Sequence, residues 1–368
     1  MSARKHLLTL SLISILSAPL IALAEPIYSM TFLPDNVVGA AGIDKYGRIA
    51  ITFQDPTIGQ AGLWSGGSIV PLGFLGTGRL SGASDISTRG GFVSGSSEIS
   101  TGPNFGPHAF VYANGQMNDL GTLGGGRSMA EAVNASGQAV GISDTASGAS
   151  HAFIFKNGAM VDLGTLGGDN AEAAAINNAG VVVGGSSLDA SGLTYHAFVT
   201  NGYGGLTDLG TLPGGTRSRA TAINDAGLIA GTSNGTGFED SAHAFLYENG
   251  MMRDISSLEG EATIGGINNL GQVVGRSGFF GFLYTDGQMV DLDTLIDPAL
   301  GWHVQIATGI NDSQQIVAAV FNFTSNQSRW VRLDLIPAVP EPGVYAMLLC
   351  GLLLLGARRR GGAGAPSA

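Results

Sequence analysis

The sequence predicts an all-β fold, a β-propeller of about seven four-stranded blades. Three observations predict it. One segment recurs seven times at near-constant spacing. Asn-Gly turns sit between short apolar runs. Glycine fills 59 of the 368 positions, and only 12% of residues are charged. An average soluble protein is about 25% charged, and glycine costs roughly 1 kcal/mol in a helix interior. Composition therefore favours short strands and tight turns over long helices.

The recurrence is plainest in His108-Ala109-Phe110-Val111-Tyr112, His151-Ala152-Phe153-Ile154-Phe155, His196-Ala197-Phe198-Val199-Thr200 and His243-Ala244-Phe245-Leu246-Tyr247. A turn follows each, at Asn114-Gly115, Asn157-Gly158, Asn201-Gly202 and Asn249-Gly250. Then comes Asp-Leu-Gly-Thr-Leu or a variant, beginning at Asp119, Asp162, Asp208, Asp254 and Asp291. A glycine-rich connector leads to a small-residue stretch that ends at Asp44, Ser87, Asn134, Asn177, Asn224, Asn268 and Asn311, with gaps of 43, 47, 43, 47, 44 and 43 residues. A Gly-x-Val-Val-Gly-like run closes each unit. Seven copies at this spacing decide the fold more firmly than any local propensity.

Each copy holds four β-like runs. In the third these are 130–134, 139–142, 152–155 and either 117–120 or its successor 160–163. Asn-Gly between apolar runs is a strong hairpin signal because both turn positions favour positive φ. Four strands in about 44 residues is the size of a propeller blade. The Ala/Gly/Ile stretch suits the innermost strand, where all blades crowd one axis. The seventh copy stops after three strands, and 28–33 supplies an unattached strand ahead of the first. Pairing these two closes the ring and removes the open sheet edge. Six or eight blades, or a β-solenoid, are the alternatives; a solenoid needs capping repeats with a polar outer face.

The ends read differently from the repeats. Residues 1–24 have the parts of a secretory signal: Arg4 and Lys5, an apolar stretch over 7–21, and the small-x-small site Ala22-Leu23-Ala24. Residues 25–336 form the propeller domain and 337–343 a linker containing Pro340, Glu341 and Pro342. A transmembrane helix is expected over 344–357, and a basic cytoplasmic tail over 358–368 opening on Arg358, Arg359 and Arg360. The apolar run is short for a span, where about 20 residues are usual. Its arginines favour the cytoplasm. Both ends then face the cytoplasm during export and everything between them is translocated.

The tail resembles the PEP-CTERM sorting signal of exopolysaccharide-producing Gram-negative bacteria: a Pro-Glu-Pro, a helix and an arginine cluster, in that order. The resemblance implies processing by an exosortase-type membrane enzyme, transient anchoring, and release to the cell envelope or matrix. The His-Ala-Phe units over roughly 28–336 resemble the HAF-repeat extracellular proteins, a family described by location and repeat rather than by activity. The first copy (Gln60-Ala61-Gly62-Leu63-Trp64), the sixth (Phe280-Gly281-Phe282) and the last (Ser328-Arg329-Trp330) lack the histidine.

The formal charge is −11, and the end segments carry cations without acids, so the middle of the chain is more acidic still. Such a surface repels phosphate backbones and argues against nucleic acid as a partner. Cys350 is the only cysteine, so no intramolecular disulfide forms. Four of six histidines, His108, His151, His196 and His243, share one repeat position. Zinc needs its ligands within about 2.1 Å, whereas equivalent positions on separate blades are far apart. A histidine bonded between strands is the simpler account, so no metal or other cofactor is expected.

Asp119, Asp162 and Asp208, with Asp254 and Asp291, precede a tight turn and suit bonds to nearby backbone amides. No copy shows the paired carboxylates of a glycosidase. Asn134, Asn177, Asn224, Asn268 and Asn311 suit tight turns in the same way. Gly124-Gly125-Gly126 lacks the Lys-Ser/Thr of a phosphate loop. No catalytic residue is assigned. Trp302 and His303 fall outside the repeat consensus. Loops 96–107, 144–150, 187–195 and 233–242 vary in length ahead of the His-Ala-Phe strand. Such loops usually carry whatever a uniform scaffold binds. The expected function is a non-enzymatic envelope or matrix module contacting exopolysaccharide or matrix proteins. The alternatives are a polysaccharide hydrolase or lyase, or a purely structural surface protein.

Overall fold

The structure is a computed structural model, and it describes residues 27–336 apart from 56–57, 101–105, 202–204, 236–241, 257 and 259. The signal segment with Ala22 and Ala24, the linker with Pro340, Glu341 and Pro342, the 344–357 run and Arg358, Arg359 and Arg360 lie outside these residues. Among the described residues no helix is long and apolar enough to cross a membrane.

The described strands form seven four-stranded antiparallel sheets, the blades of a propeller. Numbered by their first strands, blades 1 to 7 begin with Val37–Ile43, Ser81–Ile86, Gly124–Val133, Ala171–Ile176, Ser218–Ile223, Ala262–Ile267 and His303–Ile310. Blade 3 continues with Ala139–Thr145, Ser150–Lys156 and Ala159–Gly164. The later of the two candidate fourth strands thus belongs to this blade; Gln116–Asp119 completes blade 2.

The ring closes as the leftover strand requires. Tyr28–Phe32 is the fourth strand of blade 7, antiparallel to Gln327–Leu335 with Tyr28 opposite Leu335 and Phe32 opposite Val331. Seven apolar clusters fill the spaces between blades. One of them joins Val317 of blade 7 to Val37, Ile43, Ile51 and Trp64 of blade 1. A closed ring of seven blades has seven interfaces, and an open stack has six.

Local chemistry explains the repeat letters. Phe110, Phe153, Phe198, Phe245 and Phe282 are fully buried, each opposite a glycine of the second strand: Gly95, Gly141, Gly184, Gly231 and Gly275. A Cβ on Gly184 would lie 2.9 Å from the Phe198 ring and collide with the Glu172 carbonyl. Blade 1 reverses the pair, with Ile51 opposite Gly62. The hairpin turns at Asn114-Gly115, Asn157-Gly158 and Asn249-Gly250 hold both residues at positive φ. Each first strand also carries a β-bulge near its end. A bulge re-aims a side chain, and residues 84, 131, 174, 221, 265 and 308 at these bulges line the central channel.

Candidate functional site

The turns after the first and third strands open on one face, called the lower face here. The loops after the second strand and the connectors between blades open on the upper face. Three groups of polar residues are disposed on this frame.

On the lower face the asparagines form a belt. The Asn177 Oδ1 atom accepts from the backbone N–H groups of Ala179 and Val181, and its Nδ2 donates to the Asn224 carbonyl of the next blade at 3.2 Å. Asn134, Asn224 and Asn268 pass the same bond onward, and Asn311 closes on the Asp44 carbonyl at 2.8 Å. Asp44 has no donor to continue the belt; its carboxylate takes Arg48 instead, at 2.7 Å. One row outward, Asn178, Asp225, Asn269 and Asp312 bond each to the next.

The histidines and aspartates pair with one another. Nδ1 lies 2.8–2.9 Å from the carboxylate in His108–Asp119, His151–Asp162, His196–Asp208 and His243–Asp254. Each aspartate also accepts from the N–H two residues on, at Gly121, Gly164, Gly210 and Ser256. Among the described residues no three His, Cys, Asp or Glu side chains gather as a metal site. The same column changes character in blades 6 and 7. Phe280 takes the histidine position beside Asp291. In blade 7 the pairing of Ala318 with Val331 puts Arg329 there, one residue later than the sequence alignment of Ser328-Arg329-Trp330 placed it. Arg329 lies over the ring of Phe32, 5.3 Å from its centroid, and its ion pair is with Asp35 rather than with a fourth-strand aspartate.

The third group begins in the channel, about 480 Å³, with Asp85 and Glu131 among its lining residues. Asp85 stands where other blades carry Gly42, Ala132, Ala175, Ala222, Gly266 and Gly309. Its carboxylate accepts from Val133 N–H at 3.1 Å. Burial pushes its pKa up to about 7, against the pull of the Val133 and Ile86 N–H groups. Glu131 on blade 3 is also raised, first by burial, with Arg219 pulling down and Glu172 pushing up. Arg219 of blade 5 contacts Glu172 of blade 4 at 2.5 Å, an ion pair in which the Arg219 Nε–H is not aimed for a hydrogen bond. The phenol of Tyr195 is raised by burial and then by Glu172. Three neighbouring blades thus bring two carboxylates, a guanidinium and a phenol together. Sequence reading passed over Asp85, Glu131, Glu172 and Arg219 because they sit in the stretch taken as small-residue filler, where the interrupting charges were the available signal; Tyr195 ends the 187–195 loop.

One further pattern, Gly231-Thr232-Ser233-Asn234-Gly235, has the spacing of a nucleophile elbow and was not recognised in the sequence. Ser233 lies in the second strand of blade 5, is buried, and accepts from Leu212 N–H while bonding the Arg217 and Asn234 carbonyls. Its neighbours in the repeat, Ser97, Ser143 and Ser186, hold Leu75, Leu123 and Leu166 in the same way. Ser233 is a staple between blades.

No protein-family model matches the chain, and no curated protein matches it. Solved structures share the fold. A puromycin-hydrolyzing peptidase of Mycobacterium tuberculosis is similar at 10% identity and a TM-score of 0.53, over 85% of this chain and 54% of that one. TolB from Acinetobacter baumannii gives 12% identity and 0.43 over 82% and 65%. The acylaminoacyl peptidase of Pyrococcus horikoshii gives 12% and 0.44 over 83% and 51%. The chain therefore spans between about half and two thirds of these proteins, and at 10% identity the likeness to the puromycin-hydrolyzing peptidase shows a shared fold and nothing of activity.

Proposed function

We propose that the chain is an exported envelope or matrix module that contacts glycan or protein partners through its upper face and has no catalytic activity. The observation that carries this reading is that the scaffold consumes the polar signature of the repeat. The histidines are bound to aspartates, the asparagines to the next blade, and the serines to strand amides. Outside the channel, the loops that differ most in length between blades lie on the upper face. The signal segment and the PEP-CTERM-like tail support export and processing by an exosortase-type enzyme. The two described ends agree with that route: the Ile336 N–H donates to the Ile27 carbonyl at 2.8 Å. Both flanking segments leave from one corner, where other blades have their third-to-fourth turn, and a membrane anchor there leaves the upper face accessible.

The test incubates full-length protein with the host's matrix polysaccharide, pellets the polymer, and assays the pellet for protein and the supernatant for released sugar. Saturable co-sedimentation without release is the expected result; neither binding nor release excludes that polymer as the partner. The meeting of Glu131 and Glu172 beside Arg219 favours a second reading, a polysaccharide hydrolase or lyase. Sugar release abolished by Glu131→Gln would replace the first reading with the second.

A further inference from the structure

We infer that the upper rim of blades 6 and 7 is a stacking platform for the pyranose rings of a neutral polysaccharide, an inference that rests on the glycan-binding reading and gives it a location. Among the described residues the aromatic side chains exposed by more than a third are Phe32 at 39%, Tyr46 at 67%, Phe279 at 90%, Phe280 at 46% and Phe323 at 72%. Four of these five lie on blades 6 and 7, at the ends of the second-to-third hairpins or of the closing strand. In blades 2 to 5 the same column is polar, because a histidine is bound to an aspartate, and in blade 1 it carries Gln60.

The rings are held in place. Phe32 packs on Trp302 with centroids 5.3 Å apart, under the Arg329 guanidinium. Phe323 packs edge-on against Phe321 at 4.9 Å and His303 at 5.0 Å. His303 is fixed by Asp293, whose carboxylate also accepts from Val304 N–H. The hairpin bearing Phe279 and Phe280 is seated against blade 7, since a Cβ on Gly281 would touch the Val304 side chain at 2.5 Å. The rings thus fall into packed groups around Trp302 and His303 on blade 7, beside the blade 6 hairpin that bears Phe279 and Phe280 and is seated on Val304.

The chemistry selects the partner. A pyranose has an apolar C–H face that covers an aromatic ring and an edge of hydroxyl donors. Asp291 and Asp293 supply carboxylate acceptors at the foot of the platform, and the chain carries a net charge of −11. A lipid surface would strip those carboxylates of water without replacing their hydrogen bonds, which costs several kcal/mol for a charged group. A polyuronate would be repelled. A neutral glycan satisfies both the rings and the acceptors.

The experiment runs full-length protein in mild non-ionic detergent through native gels cast with laminarin, dextran, hydroxyethylcellulose or alginate. The wild type is expected to be retarded by a neutral polymer and not by alginate. The Phe279→Ala/Phe280→Ala/Phe323→Ala variant should lose affinity about tenfold or more, as truncating a central contact residue commonly does. Met251→Ala/Leu270→Ala, at exposed apolar residues away from the platform, should match the wild type. The single variant Phe279→Ala gives the same reading if the triple variant melts abnormally. Equal retardation of wild type and triple variant overturns the platform and leaves glycan binding standing. A wild type retarded by none of the neutral polymers overturns both. A wild-type dimer in sedimentation velocity that the triple variant dissolves makes the platform a contact between copies and also overturns the proposal.

Discussion

A carboxyl placed where six other blades carry glycine or alanine changes how one residue titrates. Asp85 has its pKa pushed from 3.8 to about 7 by burial. Below pH ~4 it is protonated in folded and unfolded chains alike. Between pH ~4 and ~7 the folded protein keeps a proton that the unfolded chain has released, so stability falls as pH rises through that window and stays lower above it. Asp85→Asn should remove this dependence. The melting temperature of the variant minus that of the wild type should grow more positive from pH 4 to pH 8; a constant difference would rule out the raised carboxyl. Lys45 and Arg89 line the same channel. Gly184→Ala makes a second residue-scale test. The added methyl meets the Phe198 ring and the Glu172 carbonyl, and overpacking of this kind costs about 1–3 kcal/mol, measurable by denaturant unfolding. Each signature histidine and aspartate was legible in the sequence, but their pairing was not. They stand 11 or 12 residues apart, and only the strand register brings them face to face.

At the scale of the element, the Asn-x-x-Gly turn is both a cap and a joint between blades. Asn177→Ala should cost about 1–3 kcal/mol, because it removes the acceptor of the Ala179 and Val181 N–H groups and leaves the Asn224 carbonyl only the Gly227 N–H of its own turn. Asn177→Asp keeps the acceptor and loses the donor, and it also buries a charge. The protein tolerates that arrangement once, at Asp44, where Arg48 four residues on neutralises it. The equivalent of Arg48 in blade 4 is Val181. Asn177→Asp alone should therefore destabilise, and Asn177→Asp/Val181→Arg should recover most of the loss in melting temperature. Failure of the arginine to rescue would mean that the bond to the next blade, rather than the charge, dominates. The turn itself could be read from the sequence by its glycine and asparagine. The belt could not, since its acceptors are carbonyls 43 to 47 residues away.

At the scale of the whole molecule, blade number followed from spacing and closure from one surplus strand, both visible before any coordinates. The aromatic platform was not, because Phe32, Phe279, Trp302 and Phe323 are scattered through nearly the full length of the chain. Closure makes the last prediction. Ser29 and Asp334 are direct partners in the sheet that joins the two ends, with the Ser29 hydroxyl 3.2 Å from the Asp334 carbonyl. An open solenoid of the same repeats would hold these residues at opposite ends of the array. Ser29→Cys/Asp334→Cys should therefore oxidise to an intramolecular disulfide in purified protein treated with a mild oxidant, with Cys350→Ser added so that no other thiol competes. The bridge spans nearly the entire domain, and long loops gain most from crosslinking, about 3–5 kcal/mol in favourable cases. Melting temperature should rise in the oxidised variant and return toward the wild-type value with reductant. Free thiols after oxidation, measured by alkylation mass shift, would place the two ends apart and overturn the closed ring. A bridge that forms without raising the melting temperature would keep the closed ring and show that strain, or the lost bonds of the Asp334 carboxylate to Thr31, Gln315 and Arg332, offsets the crosslink.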